Sequence, residues 1–301
     1  MEIRHLQSLI ALAEEGSFTA AARKMNTVQS GVSVAIKEME QELGVRLVNR
    51  TTRKVALTSS GILFLEHARS SVSLLNDGIA AVRSEKGVVR GRLHLGILQS
   101  LDPYINLPPL LARFRAKYPL VEFALRSLNS EEVPSQVRSG FIDLGFHAVV
   151  SGTSWPGITS IPFVQDSLVA VCGRKHALAK QKKVELHTLR GENFIDLTPE
   201  RALRRLLDRV CSAEKLSRNS IYEVSEVPTL LQLVSAGLGV AVVPLRLAQT
   251  TNRITPVHVL PFVEQDRLPL WSVQIALRTK RSSESGKKTA PDLFLDMLQA
   301  P

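Results

Sequence analysis

The sequence has little cysteine and no long apolar run, and each shortage excludes a class of protein. Two cysteines in 301 residues are too few for a disulfide framework. No C-x-x-C pair or Cys/His cluster predicts a metal site. The charged start MEIRHLQ lacks a signal-peptide core, and no apolar run approaches the roughly 20 residues of a transmembrane helix. We therefore expect a globular, cytoplasmic protein with no membrane partner, no metal and no cofactor.

Catalytic motifs are missing as well. The chain contains no G-x-S-x-G elbow, no phosphate-binding glycine loop and no zinc motif. The segment GLGVAVVP, which begins at Gly237, has a lone G-x-G between a helix and a strand, whereas dinucleotide-binding loops follow a strand and open a helix. We interpret it as a turn that closes a helix. The sequence thus predicts no catalytic residue and no enzymatic activity.

Acidic residues are also missing from position 43 to position 65, where four cations stand without compensation: Arg46, Arg50, Arg53 and Lys54. The run NRTTRK is typical of a turn, so the segment predicts a basic β-hairpin with Arg53 near its tip. Such a hairpin suits phosphate binding, and an arginine at its tip can reach a narrow minor groove. A charged hairpin that is merely solvated is the alternative.

Two helices are predicted before this hairpin. Ser17 is placed to cap a short helix from Phe18 to Met25, and positions 26–28 form a polar turn. A longer helix then runs from Gln29 to Leu43 and ends at Gly44. Apolar residues recur in the longer helix at spacings of four, three and four, which predicts one buried face: Val32, Ile36, Met39 and Leu43.

The opposite face of the longer helix carries amide, hydroxyl and ammonium groups. Near a helix N-terminus such groups fit the base edges and phosphates of a DNA major groove. A solvated amphipathic helix is the alternative, but the helix before it and the basic hairpin after it favour a winged DNA-binding head. The candidate DNA-binding residues are Thr27, Gln29, Ser30, Ser33, Val34, Lys37, Arg50, Arg53 and Lys54.

Taken together, these segments resemble LysR-type transcriptional regulators. The matching stretches are MEIRHLQSLIALAEEGSFTAAARKM, VQSGVSVAIKEMEQELGVRL, NRTTRKVALTSSG and the later LVSAGLGVAVVP. The resemblance carries the family's DNA contacts to Gln29, Ser30, Ser33 and Lys37. Two positions depart from the family pattern, because Val28 replaces the usual Ser and Val34 replaces the usual Arg. A guanidinium contact is absent at position 34, where a thymine methyl is a candidate contact instead.

A long helix begins at Ser59, with Thr58 as its predicted N-cap. Its apolar residues alternate spacings of three and four, which predicts a two-stranded seam and hence a dimer. A dimer presents two recognition helices to a dyad-symmetric operator. A helix that packs on its own domain is the alternative. The candidate seam residues are Leu65, Ala68, Val72, Leu75, Ile79 and Val82, and a hinge with Gly87 and Gly91 follows.

After the hinge, strand-like and helix-like runs alternate. The first series predicts strands at 92–98, 121–126 and 142–147, with helices at 109–119 and 130–140. The second series predicts strands at 167–172, 221–224 and 240–244, with helices at 199–214 and 229–237. The first series forms a βαβαβ unit with a parallel sheet, and two such α/β lobes leave a ligand cleft beyond their strand ends.

The resemblance implies that the two lobes form a periplasmic-binding-protein-like effector domain. The fold class is therefore α/β, with an N-terminal α winged helix-turn-helix and a long linker helix for dimerisation. We expect the head at 1–58, the linker helix at 59–89, and the effector domain at 90–301, with lobe I at about 90–163 and 266–301 and lobe II at about 164–265. A solute-binding or ligand-converting protein is the alternative that the two lobes alone would permit.

Candidate effector contacts lie where strands lead into helices, since helix N-termini expose N–H groups that bind anions. They are Gln99, Ser100, Ser130, His147, Thr198, Val227 and Pro228. The resemblance places effectors near Ser100, Ser130 and Thr198, and a plain helix cap is the alternative for each. For Arg201, Arg204 and Arg205, surface solvation is favoured over carboxylate attraction or a subunit contact.

Both cysteines lie in apolar settings, so buried thiols are predicted at Cys172 and Cys211. The family includes a peroxide-sensing regulator with a reactive cysteine pair, but only Arg209 adds positive charge near either thiol, so redox sensing is not favoured. The expected partners are double-stranded DNA with a dyad-symmetric operator, a small-molecule effector for which an anion is one candidate, and a second copy of the chain. The resemblance adds a tetramer and RNA polymerase as further candidates.

Overall fold

The computed structural model describes residues 1–50, 55–83, 89–98, 101–150, 155–251, 255–279 and 288–299, except for the side chains of 50, 77 and 80–83. The predicted sites at Gln99, Ser100, Arg53 and Lys54 lie outside these ranges, as does the part of the predicted hinge that contains Gly87. No helix within them is both long enough and apolar enough to cross a membrane.

The N-terminal head is three helices followed by a two-stranded antiparallel hairpin. Its elements are α1 (Ile3–Glu15), α2 (Phe18–Lys24), α3 (Gln29–Leu43), β1 (Val48–Arg50) and β2 (Val55–Leu57). The predicted helices and hairpin are thus confirmed. Val32, Ile36 and Met39 are fully buried in the head core, and Leu43 packs partly buried against it. The apolar period of α3 therefore marked the buried face correctly.

The ends of the head helices differ in how they are capped. Gly44 closes α3 in the left-handed conformation with φ +67°, which a residue with a Cβ adopts reluctantly. Ser17 occupies the N-cap position of α2 with extended backbone, but its side chain makes no capping hydrogen bond. The predicted Ser17 cap is therefore a cap by position only.

A single helix, α4 (Ser59–Arg83), leads out of the head. Thr58 caps it as predicted, because its Oγ1 accepts a hydrogen bond of 2.9 Å from the N–H of Gly61 and donates one of 2.6 Å to the carbonyl of Arg46. Gly61 itself lies so close to the head that an added Cβ would stand 2.0 Å from the carbonyl oxygen of Leu47. The helix and the head are therefore joined at a point that admits only glycine.

Burial within the single chain corrects the start of the predicted dimer seam on α4. Leu65 and Ala68 are only 7% and 1% exposed within the single chain, and Leu65 belongs to the head core. Val72 is half-buried, and the side chain of Val82 is not described. The 3-4 repeat indicated burial correctly at Leu65 and Ala68, where the chain itself is the burying surface, whereas Leu75 and Ile79 are 39% exposed.

A five-stranded sheet, here called the first sheet, follows the linker, and its strand order is β4-β3-β5-β12-β6. The strands β3, β4 and β5 are parallel, and β12 is antiparallel to both β5 and β6. The predicted βαβαβ unit is confirmed, whereas β6 and β12 were not predicted. The elements are β3 (Gly91–Ile97), α5 (Leu107–Lys117), β4 (Val121–Ser127), α6 (Glu132–Arg138), β5 (Leu144–Val149), β6 (Ile158–Asp166), β12 (Trp271–Arg278) and α10 (Ala290–Gln299).

The second lobe contains two small sheets joined by a bridge between Phe194 and Val240. One has β7 between antiparallel β10 and β11, and the other pairs β8 with β9 in parallel. The strands β8 and β11 and the helix α9 were not predicted. The elements are β7 (Leu168–Cys172), β8 (Asn193–Leu197), α7 (Ala202–Ala213), β9 (Asn219–Val224), α8 (Val227–Ser235), β10 (Ala241–Pro244), α9 (Leu245–Thr251) and β11 (His258–Pro261).

The crossing between the lobes lies at Asp166, later than expected. Strand β6 pairs with β12 up to Asp166, so the border predicted after position 163 falls inside this strand. The buried carboxylate of Asp166 accepts hydrogen bonds from the Tyr104 hydroxyl and from the backbone N–H groups of Ser167 and Arg246. One side chain from the first sheet thereby holds the start of the second lobe.

Gly61→Ala should destabilise the protein by about 1–3 kcal/mol, because its methyl group would overlap the Leu47 carbonyl. Gly78→Ala is the matched control, since it lies on the same helix with nothing within 4 Å of the added Cβ, and we expect it to be neutral or slightly stabilising. Urea unfolding of both variants checks this. Equal stability of the two would show that the helix does not need its close approach to the head.

Candidate nucleic-acid interface and ligand cleft

The outward face of α3 is where the structure places most of the predicted DNA-binding residues. Thr27, Gln29, Ser30, Val34 and Lys37 are exposed, and Ser33 is half-buried. The face also carries two exposed apolar side chains, Val28 at 66% and Val34 at 52%. Apolar groups in such positions fit thymine methyl groups better than they fit water.

The charge on this face is available to a ligand. Lys24, behind it, is engaged by Glu14 and Glu15 at 2.7 and 2.8 Å, and these hydrogen bonds raise its pKa. Within the described part of the chain, Lys37 and Arg46 have no ion-pair partner. A lysine without an ion-pair partner on the exposed face of a helix suits a phosphate group.

A carboxylate that the sequence did not single out joins the hairpin to α3. Glu40 Oε1 accepts hydrogen bonds from the N–H groups of Leu47 at 2.8 Å and Val48 at 3.1 Å. These hydrogen bonds fix the hairpin of β1 and β2, the wing of the head, to α3. Arg50 lies at the end of β1, but the position of its side chain is not described.

The cleft between the lobes is a cavity of about 70 Å³. Two predicted residues, Ser130 and Val227, line it. Thr198 and Pro228 do not: the Thr198 hydroxyl donates to Glu200 at 2.6 Å, and Pro228 is exposed at the start of α8. The other lining residues are Leu98, Leu128, Asn129, Leu197, Glu200, Arg201, Ala202, Leu203, Ser225, Leu247 and Trp271.

Two arginines reach across this cleft, which sequence reasoning missed. Arg201 Nη1 donates to Asn129 Oδ1 at 2.7 Å, and Arg205 Nη2 lies 2.7 Å from Glu131 Oε1. Arg201 Nε is buried without a hydrogen-bond partner among the described residues. The prediction that water alone solvates these two arginines on the surface is therefore wrong. Their partners lie more than 70 positions away, so no local pattern could have identified them.

Arg204 is also partnered rather than solvated. It donates to the Leu197 carbonyl, Asp208 and Glu223 at 2.9–3.0 Å, and these carboxylates raise its pKa against the opposing effect of burial. Its side chain is 14% exposed. Arg204 therefore stabilises the second lobe and takes no part in the cleft.

His147 and Ser130 line a second cavity of about 100 Å³ that adjoins the cleft. Burial lowers the pKa of His147 to about 4, so its imidazole is neutral at pH 7. Its Nε2 is buried and makes no hydrogen bond to a described residue. The Ser130 Oγ accepts a hydrogen bond of 3.1 Å from the N–H of Ala148, which leaves its own O–H to donate elsewhere.

The cysteines are buried as predicted. Burial raises the pKa of Cys172 to about 11 and also raises that of Cys211. Because the thiolate is the reactive form, both thiols are protected from oxidants. The described residues contain no group of three His, Cys, Asp or Glu side chains placed to hold a metal ion.

Known proteins match both parts of this arrangement. The family model described as "Bacterial regulatory helix-turn-helix protein, lysR family" matches residues 3–62, and "LysR substrate binding domain" matches residues 86–300. The HTH-type transcriptional regulator AlsR of Bacillus subtilis is 34% identical over 248 residues, which cover 81% of this chain and 80% of AlsR.

Two solved structures share the fold. A full-length OxyR variant from Pseudomonas aeruginosa superposes with a TM-score of 0.75 at 20% identity, covering 99% of this chain and 93% of OxyR. Full-length CbnR, described as complexed with its target DNA, gives a TM-score of 0.64 at 23% identity, with 99% of each chain covered. At these identities the structural likeness establishes the fold, and the family models and AlsR establish the family. The chain belongs to the LysR family, and it is a DNA-binding transcriptional regulator with an effector-binding domain.

Proposed function

We propose that the protein binds a dyad-symmetric operator through α3 and the wing, and that a small molecule between the lobes changes this binding. The observation that carries the proposal is the presence, in one chain, of an exposed polar face on α3 and a cleft bridged by arginines. DNA bound in the cytoplasm is the expected target.

Reading of the operator is assigned to the first turns of α3. Gln29 and Ser30 stand at the helix start, where an amide can form two hydrogen bonds to N6 and N7 of an adenine. Ser33 and Lys37 follow at intervals of one turn, with Lys37 reaching a phosphate. Val34 contacts a thymine methyl, and Thr27, which precedes the helix, adds a further DNA contact. Arg50, Arg53 and Lys54 of the wing add contacts to the backbone and minor groove.

Self-association is assigned to the outward side of α4 instead of the predicted seam. Leu63 and Leu74 are 63% and 62% exposed and lie three helical turns apart, so they share one face. Leu75 and Ile79, both 39% exposed, lie on other sides of the helix and are retained from the original prediction. Exposed leucines on one face of a long helix are typical of a surface that the same helix of a second copy covers. A tetramer through the effector domains and contact with RNA polymerase complete the proposed partners.

Effector binding is assigned to the cleft between Asn129 and Arg201. A carboxylate on the ligand would replace the Asn129 amide on Arg201 with a stronger, charge-assisted pair and satisfy the buried Nε. Such a ligand favours a different spacing of the lobes, and a tenfold population shift needs about 1.4 kcal/mol. Ser130, His147 and Val227 would complete the site.

Binding without turnover fits the cleft better than catalysis. A serine nucleophile needs a base within hydrogen-bond reach, but the His147 Nε2 has no hydrogen-bond partner among the described residues. Ser130 instead accepts a backbone hydrogen bond. We therefore propose a regulator that releases its effector unchanged, and conversion of a bound ligand by the purified protein would contradict this.

The DNA proposal is tested by Gln29→Ala and Lys37→Gln in fluorescence anisotropy against the DNA upstream of the gene and a scrambled duplex. Gln29→Ala should cost about 1–3 kcal/mol on the upstream DNA only, because it removes a base contact. Lys37→Gln should weaken binding to both duplexes and reduce the salt slope by about 0.9, because it removes one phosphate contact.

Arg115→Gln is the matched control for these DNA variants, since Arg115 is exposed on α5 in the effector domain. Equal affinity of wild type and Gln29→Ala for the upstream DNA would remove α3 from the proposed role.

The proposed self-association predicts that Leu74→Glu produces a smaller assembly without unfolding the chain, because it places a charge in the shared apolar face. Light scattering coupled to gel filtration gives the mass, and circular dichroism reports the fold. Leu120→Glu, at a leucine of 48% exposure in the effector domain, is the control. An unchanged mass for Leu74→Glu would contradict the assignment of this face.

His147 predicts a pH dependence of stability. The folded-state pKa of His147 is lowered to about 4 from 6.5, so the unfolded chain binds the proton first and stability falls as pH drops below 6.5. The loss due to His147 should reach about 2 kcal/mol at pH 5 relative to pH 7.5. Urea unfolding of wild type and His147→Gln at both pH values measures this loss, because the variant lacks the titrating imidazole. An identical pH dependence in the two proteins would mean that His147 is solvated.

A further inference from the structure

A large cavity of about 420 Å³ lies where three parts of the chain meet, and the proposed function does not use it. Helix α1 of the head contributes Ile10 and Glu14, and α4 contributes the face from Arg69 to Ile79. The effector domain supplies the remaining walls, which include Arg92, Arg126 and Phe141. This junction cavity shares no lining residue with the cleft between the lobes.

Two arginines in the junction cavity stack on one aromatic ring. The guanidinium carbons of Arg69 and Arg126 lie 4.3 and 4.0 Å from the ring centroid of Phe141. The Nε atoms of both arginines are buried and lack a hydrogen-bond partner among the described residues. A buried donor without a hydrogen bond costs free energy. A ligand that accepts hydrogen bonds from these two Nε atoms would remove that cost.

The charges around the cavity do not balance. Four arginines and Lys288 face two carboxylates, Glu14 and Asp143. These carboxylates are engaged, because Glu14 binds Lys24 at 2.7 Å and Asp143 accepts the His94 N–H at 2.7 Å.

The cations are less well compensated. Lys288 is paired with Asp296 at 2.6 Å, whereas no described residue forms an ion pair with Arg69, Arg90 or Arg92. Burial lowers the pKa of Arg69, and the charge of Arg126 lowers it further although Glu14 opposes both. The cavity therefore carries positive charge that a bound anion would neutralise.

Most of the remaining lining surface is apolar, although Ser73, Asn76, His94 and Thr289 add polar groups. Ile10, Val72, Ile79, Val89 and Pro291 surround the arginines, and the volume falls in the range of about 300–1,000 Å³ that small-molecule sites occupy. An inorganic ion would leave this apolar surface uncovered. A ligand with one anionic end and an apolar body would cover it and would satisfy the arginines at the same time.

We propose that the junction cavity is a second ligand site, for a small organic anion whose carboxylate or phosphate binds Arg69, Arg92 and Arg126. Its apolar body lies against α1 and α4. The site is separate from the cleft between the lobes, so both can be occupied together.

The position of the junction cavity gives the ligand a route to the head. Arg126 lies 3.7 Å from Glu14, in an ion pair that joins the effector domain to α1. An anion that binds Arg126 competes with Glu14 and loosens this contact, and operator affinity should then change. This coupling rests on the proposed function, whereas binding of the anion does not.

Isothermal titration of the full-length protein without DNA tests the site. The probes are hexanoate and phenyl phosphate, with hexanamide and phenol as their uncharged counterparts. At least one anion should bind while both uncharged compounds do not, and the one that binds identifies a carboxylate or a phosphate ligand. Arg69→Gln and Arg92→Gln should each weaken binding at least tenfold. Arg92 is exposed, so its variant keeps the test valid if Arg69→Gln misfolds.

Arg113→Gln, an exposed arginine on α5, is the matched control and should bind like wild type. Three results would overturn the proposal: no binding of either anion at millimolar concentration, equal binding of the uncharged compounds, or loss in Arg201→Gln with full binding in Arg69→Gln. The last would place the anion in the cleft between the lobes. Adding the anion that binds to the anisotropy assay then measures its coupling to DNA binding. Unchanged operator affinity would contradict the coupling but not the ligand site.

Discussion

The close packing of α4 on both its neighbours is the constraint on which the arrangement of the chain depends. At one end Gly61 touches the Leu47 carbonyl, and further along Gly140 meets Ser73 so closely that an added Cβ would stand 2.7 Å from the Ser73 Cβ. Between these contacts the Ser70 hydroxyl reaches the Arg138 carbonyl. Because both glycine contacts are too tight for any side chain, α4 fixes the head and the effector domain to one another within a chain.

One strand connects the cleft to this packed junction. Arg126 lies on β4 and pairs with Glu14 of the head, and Asn129, which follows the same strand, accepts the hydrogen bond from Arg201 across the cleft. A change at Asn129 therefore needs to travel only three residues to reach a contact with the head. Short, stiff connections of this kind allow a small local shift to bias a larger two-state change.

Local signals in the sequence were sufficient for the head but not for the contacts between distant segments. The helices α2 and α3 carry their own period and their own end at Gly44, so their bounds were predicted closely. Strand β12 pairs with β5, more than 120 positions earlier, and was not predicted. The contacts of Arg201 and Arg205 across the cleft were not predicted either, because their partners are also distant in the sequence. On α4 the period was found, but the surface that covers Leu65 could only be known from the folded chain.

The position of β12 in the first sheet determines the order in which the chain can fold as it is made. This strand lies between β5 and β6 and pairs with both, yet the whole of the second lobe precedes it in the sequence. The first sheet therefore cannot close until residue 278 has been synthesised, after the residues of the head and the second lobe. During synthesis, β5 and β6 each expose an unpaired edge that a neighbouring nascent chain could occupy. In the folded chain β12 covers both of these edges and thereby removes two surfaces that favour aggregation.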